Sequence, residues 1–359
     1  MSRKTSLLKR IFFALAAAGI STVLMIGGLL GADLYLHHRF EKVAGLNIRG
    51  YRGPVLKKRQ PGEQRVAVLG GSTALGYGVA PDESFPADLE RNLNERRRAQ
   101  GARPLHVVNL GGNAQGAYAF LPTLREYEYL GCDTVIFYEG YNDLGKFPNE
   151  FVARDGSPIY RLTGYYPIFP LIFKEKAMSL RYGGNIDAAY WGKKTVFRPS
   201  LAARTTAGAL EATVHLTESV GRGIAYLAPT PQRPPVNGMG CSAQHAFYCH
   251  WVYQATQAAL DHGQRVVVVT QPYLTKLHVR QQQEMAAMLK RQFGKTPYLR
   301  YVNLGKAINL QDRMLSYDRE HLTATGNQRI ADLLTEPVLE MIEQAQGTSQ
   351  RAPRRSPSP

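Results

Sequence analysis

The sequence runs to 359 residues, 44% hydrophobic and 20% charged, which is enough apolar content for one large folded core and too much for a disordered chain. Forty-four Lys and Arg against 28 Asp and Glu leave a formal net charge of +16, a surplus that fits nucleic acid, anionic lipid or an acidic polymer equally well. The 3 cysteines are too few for a disulfide-built scaffold.

The position of the charge narrows the partners. Arg3, Lys4, Lys9 and Arg10 precede an apolar run, Lys57-Lys58-Arg59 follows it, and Arg351, Arg354 and Arg355 sit in the tail. That distribution suits a membrane surface better than a nucleic-acid groove, so no nucleic-acid partner is expected. Solvated basic faces of an ordinary protein are the plain alternative.

From Ile11 to Ala32 the chain carries no charge, and about 20 such residues cross a bilayer as a helix. Four basic residues before the run, against Arg39 and Lys42 just after it, favour a cytoplasmic N-terminus with the remainder exported. A cleaved signal peptide is the competing reading. The run is longer than the usual apolar region of about 7–15 residues and lacks a sharp small-x-small exit, so a retained anchor is expected. The chain then divides into a cytoplasmic basic N-terminus (1–10), a transmembrane anchor (11–32), a basic connector (33–62), a domain over 63–345 and a disordered tail (346–359). The expected location is a single-pass protein of the inner membrane with its domain in the periplasm.

Within the domain, short apolar runs alternate with amphipathic stretches. The runs fall at 65–69, 105–110, 133–138, 264–270 and 298–304, and continuous runs rich in β-branched residues read as strands covered on both faces. Helical patterns lie at about 84–100, 117–130, 275–293 and 323–345. Strand and helix in alternation predict a parallel sheet with right-handed crossovers. Three of the connections suit one helix each, whereas 139–263 is far longer. An insertion at about 146–262 is therefore expected, as a partly helical, Tyr- and Phe-rich cap rather than a structureless loop.

Four of these junctions carry chemistry. The first strand ends in GGST, placing Ser72 in a glycine-flanked turn at a strand's carboxyl end, where ligands of open α/β sheets collect. Such a turn also cradles phosphates, but no Walker lysine follows Ser72. A serine hydroxyl needs an adjacent base with an orienting group behind it. Asp318 and His321, three apart before the last helical pattern, have the spacing to supply both, although a capping Asp beside an ordinary His looks the same. The second strand ends in NLGGNAQG and the third in EGYND. Each delivers a glycine, and the third also Asn142, as candidate donors to a developing oxyanion; an ordinary turn and an Asx cap are their alternatives.

Taken in order, Ser in a GGS turn, Gly after strand two, GxND after strand three and DxxH before the final helix resemble the four blocks of the SGNH (GDSL-like) hydrolases. The resemblance covers about 63–138 and 264–345. It implies an α/β, flavodoxin-like three-layer sandwich around a five-stranded parallel sheet, and a serine esterase using neither metal nor organic cofactor. Carried over residue by residue, it implies Ser72 as nucleophile, His321 as base and then acid, and Asp318 as its orienter. It also implies an oxyanion hole from the Ser72 N–H, Asn142 and a block-two glycine, Gly116, with Gly111 and Gly112 as alternates. The first block departs from the family, reading GGST where many members have GDS, which weakens any inference of substrate. The α/β-hydrolase elbow GxSxG fits less well, because Gly70-Gly71-Ser72-Thr73 is followed by Ala74 and the Asp and His are neighbours.

The expected substrate is an acyl ester, O-acetyl groups of an exported glycan first and a lipid ester second. A non-catalytic module that binds acylated cell-envelope glycan is the alternative. The stretch CSAQHAFYCH offers Cys241, His245, Cys249 and His250 as metal ligands or as a Cys241–Cys249 disulfide. On a continuous helix the two cysteines would stand about 12 Å apart along the axis, too far for either. In a loop of an exported protein a disulfide is the better reading.

Overall fold

A computed structural model describes residues 2–40, 46–113, 115–144, 158–184, 189, 196–224 and 236–349. Five strands, β1 (Gln64–Gly70), β2 (Leu105–Asn109), β3 (Thr134–Tyr138), β4 (Arg265–Thr270) and β5 (Leu299–Asn303), form one parallel sheet in the order β2-β1-β3-β4-β5. The expected fold class is what the structure has. All five strands fall within two residues of their expected positions, because short runs rich in β-branched and aromatic residues favour extended, paired backbone.

Alternation along the strands sorts the core into two layers. Ala67, Leu69, Val135, Phe137, Val266 and Val268 face one cluster, built with α4 (Phe120–Glu126), α8 (Ala246–Asp261) and α9 (Lys276–Phe293). Val66, Val68, Ile136, Tyr138, Val267 and Val269 face the other, with α3 (Phe85–Ala99) and α10 (Ala324–Ser349). Buried Asn327 ties those last two helices together: its Oδ1 accepts the Phe85 N–H at 3.0 Å, and its Nδ2 donates to Leu322 O and Thr323 O at 3.2 and 3.0 Å.

Four features differ from the pattern read off the sequence. The helical stretch at 117–130 is broken into a 3-10 turn (117–119), α4 and a second 3-10 turn (128–130). The range expected for the insertion contains α5 (Pro158–Thr163), α6 (Phe169–Tyr182) and α7 (Leu201–Ile224), but α8 within it is a crossover helix of the sandwich, with Tyr248, Cys249, Trp251 and Val252 in the core. The Cys241–Cys249 disulfide is present, with Cα atoms 6.5 Å apart. It forms because Cys241 lies in the turn before α8 and Cys249 in its first turn, so the stretch is neither all helix nor all loop. Of the tail, 346–349 continue α10, and 350–359 lie outside the described residues.

The N-terminal helix α1 (Ser2–Phe40) is long and apolar enough over Lys9–Arg39 to cross a membrane. Its far end is fastened to the domain. Asp33, 1% exposed, accepts the Ile168 and Phe169 N–H groups at 2.9 and 2.6 Å, capping α6, and also takes the Tyr165 hydroxyl. The His37 ring bridges Leu46 O and Tyr166 O at 3.0 and 2.9 Å. The connector is likewise built in. Arg52 pairs with the end of β2 through its backbone (Arg52 N to Asn109 O, 3.0 Å) and places its guanidinium on Leu75 O, Gly76 O and Val79 O at 2.6, 2.6 and 2.5 Å.

Replacing Asn327 by Leu strands the Phe85 amide and the Leu322 carbonyl oxygen. An unsatisfied buried polar group costs about 1–3 kcal/mol, so Asn327→Leu is expected to lower the thermal midpoint by several degrees; an unchanged midpoint in a calorimetric scan contradicts this account of how α3 and α10 are joined.

Candidate active site

Strand order reverses at β1, which has β2 on one side and β3 on the other. The loops leaving β1, β2 and β3 thus meet at one carboxyl edge, the position where ligands of open α/β sheets bind. Register makes the meeting tight, since Gly70 pairs with Tyr138 and Val68 with Asn109. A Cβ on Gly70 would lie 2.1 Å from Tyr138 O, so only glycine lets β1 end there. The chain then turns at Gly71 into the four-residue helix α2 (Ser72–Leu75), with Ser72 at its first position. Gly76, at φ 81°, ends it, and Arg52 binds the carbonyls at its exit. Burial lowers the Arg52 pKa to about 10, against the pull of Asp82.

Ser72 and His321 are 249 residues apart in sequence, and the fold brings Ser72 Oγ within 2.8 Å of His321 Nε2. The opposite ring nitrogen, Nδ1, lies 2.6 Å from Asp318 Oδ2. The other Asp318 oxygen accepts the backbone N–H groups of His321 and Glu320 at 2.6 and 2.9 Å. Partial burial alone would raise the Asp318 pKa, but the His321 ring and these two amides hold it below the ordinary value. The turn that folds the ring back over its own carboxylate puts Arg319 at φ 75°, a left-handed conformation that costs a non-glycine residue about 1–2 kcal/mol. Two tyrosines flank the imidazole: Tyr77 at a 5.0 Å centroid distance and Tyr317, stacked, at 5.9 Å. Tyr317 also donates to Tyr77 O at 3.0 Å.

The candidate oxyanion donors sit beside this line. Among the described residues, the Gly111 and Gly112 amides donate to Asn109 Oδ1 and Gly70 O, both at 3.0 Å, whereas those of Ser72 and Gly116 make no hydrogen bond. Of the three block-two glycines, Gly116 is therefore the one with a donor to offer. Asn142, in the 3-10 turn Tyr141–Asp143, directs its side-chain amide inward instead, to Gln115 O at 3.1 Å and Glu139 Oε1 at 3.3 Å.

Behind the donors stand two buried carboxyls that were not singled out from the sequence as site residues. Glu139 Oε1 accepts the N–H groups of Gly140 and Asn142 at 2.8 and 3.0 Å, and Asp143 Oδ2 accepts that of Ala117 at 2.9 Å. Burial pushes the Glu139 pKa up to about 7, against the amides of Asn142, Gly140 and Gly71. Burial, with the nearby Glu139 charge, pushes that of Asp143 to about 8. The cue for Glu139 is an acid directly after a strand rich in apolar residues; for Arg52, in the connector, the sequence holds no cue. Gln271 completes the backing, donating to Thr73 Oγ1 at 2.7 Å and accepting the Tyr141 N–H at 3.2 Å.

The structure is similar to solved G-D-S-L lipolytic enzymes. A lipase/acylhydrolase from Enterococcus faecalis matches with 13% identity over 77% of this chain and 96% of its own, at a TM-score of 0.40. A GDSL-like lipase from Bacteroides thetaiotaomicron matches with 12% identity over 80% and 93%, at 0.38. A mutant of an acetyl-xylooligosaccharide esterase from Geobacillus matches with 11% identity over 78% and 95%, at 0.39. No protein-family model matches the chain, and no curated protein matches its sequence. Among the described residues no group of three or more His, Cys, Asp or Glu is arranged to hold a metal ion.

The two raised carboxyls set a pH dependence of stability. A carboxyl whose folded pKa exceeds its unfolded one favours the fold in acid, and that stability is lost as pH rises from the unfolded value through the folded one. Between about pH 4 and 8 the wild type should therefore lose more thermal stability than a Glu139→Gln/Asp143→Asn variant. Parallel pH–melting curves would refute the assignment.

Proposed function

We propose that the protein is a serine esterase of the SGNH kind, with Ser72 as nucleophile, His321 as general base and then acid, and Asp318 as its orienter. The observation that carries this reading is the connected line Ser72 Oγ, His321 Nε2, His321 Nδ1, Asp318 Oδ2, with links of 2.8 and 2.6 Å. Hydrogen bonds of that length let the imidazole take the serine proton as Oγ attacks an ester carbonyl, with Asp318 fixing the tautomer. The tetrahedral oxyanion is received by the Ser72 and Gly116 amides. Asn142 joins them by turning its side-chain amide off Gln115 O, while Glu139 keeps its hold on the residue. His321 then gives the proton to the leaving alcohol, and a water or acceptor hydroxyl repeats the cycle on the acyl-enzyme. No step calls for a metal or organic cofactor.

The same reading places the domain outside the cytoplasm, anchored by α1 in the inner membrane. The basic flank at residues 3–10 and the Cys241–Cys249 disulfide support that side. O-acetyl groups of an exported glycan are the proposed substrate and lipid esters the rival, because an anchored esterase meets both.

In full-length protein in detergent, Ser72→Ala and His321→Ala should each lower kcat by about 10^4-fold or more and leave the melting curve in place. A fluorophosphonate should label wild type and not Ser72→Ala. Because the base must be neutral, wild-type activity should fall in acid. Near-wild-type turnover in Ser72→Ala would reject the assignment, and faster turnover of long-chain than of acetyl p-nitrophenyl esters would favour lipid over glycan.

A further inference from the structure

Position 71 is glycine in a turn where many members of the resembled family carry an acid. Its φ of −83° is open to any residue, so backbone conformation does not demand glycine there. Crowding does. A Cβ built on Gly71 would lie 2.3 Å from Glu139 Oε2, 2.4 Å from Asn142 Nδ2 and 2.9 Å from Gln115 O. The space outside the backbone just before the nucleophile is already filled, and a carboxyl fills it from the end of β3.

We propose that Glu139 is a positioning residue for the oxyanion hole: its carboxyl stands in for the side chain that position 71 lacks, holding Asn142 and the Ser72 turn from β3 instead of from β1. This rests on the esterase reading. Glu139 is 2% exposed. Its Oε1 gathers the Gly140 N–H, the Asn142 N–H and the Asn142 side-chain amide at 2.8, 3.0 and 3.3 Å, and its Oε2 lies against Gly71. Tyr248, from α8 in the core, donates to Glu139 O at 2.8 Å and pins the backbone. Asn142 also reaches Gln115 O at 3.1 Å, next to Gly116. One buried carboxyl thus touches the first and third blocks and, through Asn142, reaches the second. A carboxyl buried as Glu139 is sets where a neighbouring amide points, and the cost of misdirecting an oxyanion donor appears in the transition state rather than in substrate binding.

The test is a reciprocal exchange in the full-length protein, using Gly71→Asp, Glu139→Ala, the double variant Gly71→Asp/Glu139→Ala, and the near-isosteric Glu139→Gln. Melting temperature is read on all of them, with kcat and KM on p-nitrophenyl acetate. Gly71→Asp alone should lower both melting temperature and kcat, because a second carboxyl enters an occupied space. Removing Glu139 in the double variant should restore most of the melting temperature and at least about tenfold in kcat relative to Gly71→Asp. Glu139→Gln should lower kcat at least about tenfold with KM little changed.

A double variant no better than Gly71→Asp in either readout overturns the proposal. So does recovered melting temperature without recovered kcat, and so does a wild-type kcat in Glu139→Gln. A wild type that neither hydrolyses esters nor takes the fluorophosphonate overturns the esterase reading instead. The melting temperatures of the four variants then decide by themselves whether positions 71 and 139 share one space.

Discussion

The contact on which the carboxyl edge of this sheet depends is the approach of the Gly70-Gly71 backbone to the end of β3. A single added carbon at either position would collide with Tyr138 O or with the Glu139 carboxyl at 2.1–2.3 Å. Because β1 pairs in parallel with both β2 and β3, that closeness brings the turn holding Ser72, the loop holding Gly116 and the turn holding Asn142 to one level. His321 arrives from the far end of the chain, on a turn tied down by Ser316 Oγ to His321 O at 2.9 Å and by the Ser316–Leu322 bridge. The Ser72–His321 link is thus a consequence of strand register and of a C-terminal turn held independently of it.

The segments outside the sandwich are joined to it by buried polar contacts rather than by apolar packing alone. Arg52 grips the exit of the short helix that begins at Ser72, and Asp33 caps α6 with the end of the apolar helix α1. Cutting the chain in the connector would therefore remove a support of the site as well as the apolar helix α1. The buried charge of Arg52 is tolerable because three carbonyl oxygens accept its protons, and a guanidinium with donors spread across a plane suits that arrangement better than an ammonium.

Much of the fold was legible because it is local. Runs such as RVAVL and QRVVVVT have one stable use, and glycines at strand ends announce turns. Ser72, Asp318 and His321 could be singled out as a candidate set, which the fold brings together, because an activated serine demands an imidazole and a carboxylate, and a short Asp-to-His spacing lets one turn supply both. The break in the helical pattern at 117–130 was not legible, nor was α8 as a layer helix, since a pattern of apolar residues does not say which part of a long connection returns to the sheet. Glu139 and Arg52 escaped for the same reason: a lone acid after a strand and a lone arginine in a basic connector look like solvated residues until their surroundings are known.

The amino-acid sequence by itself determined the strand and helix alternation, the apolar N-terminal run and the types of residue available for chemistry, because each follows from periodicity or from the intrinsic properties of side chains. Tertiary structure alone decided which block-two glycine keeps a free amide, where the Asn142 amide points, and that a buried carboxyl fills the space beside Gly71. Those outcomes depend on distances of a few tenths of an ångström between segments far apart in the chain, and nothing in the order of residues encodes a distance of that kind until the sheet has set its register.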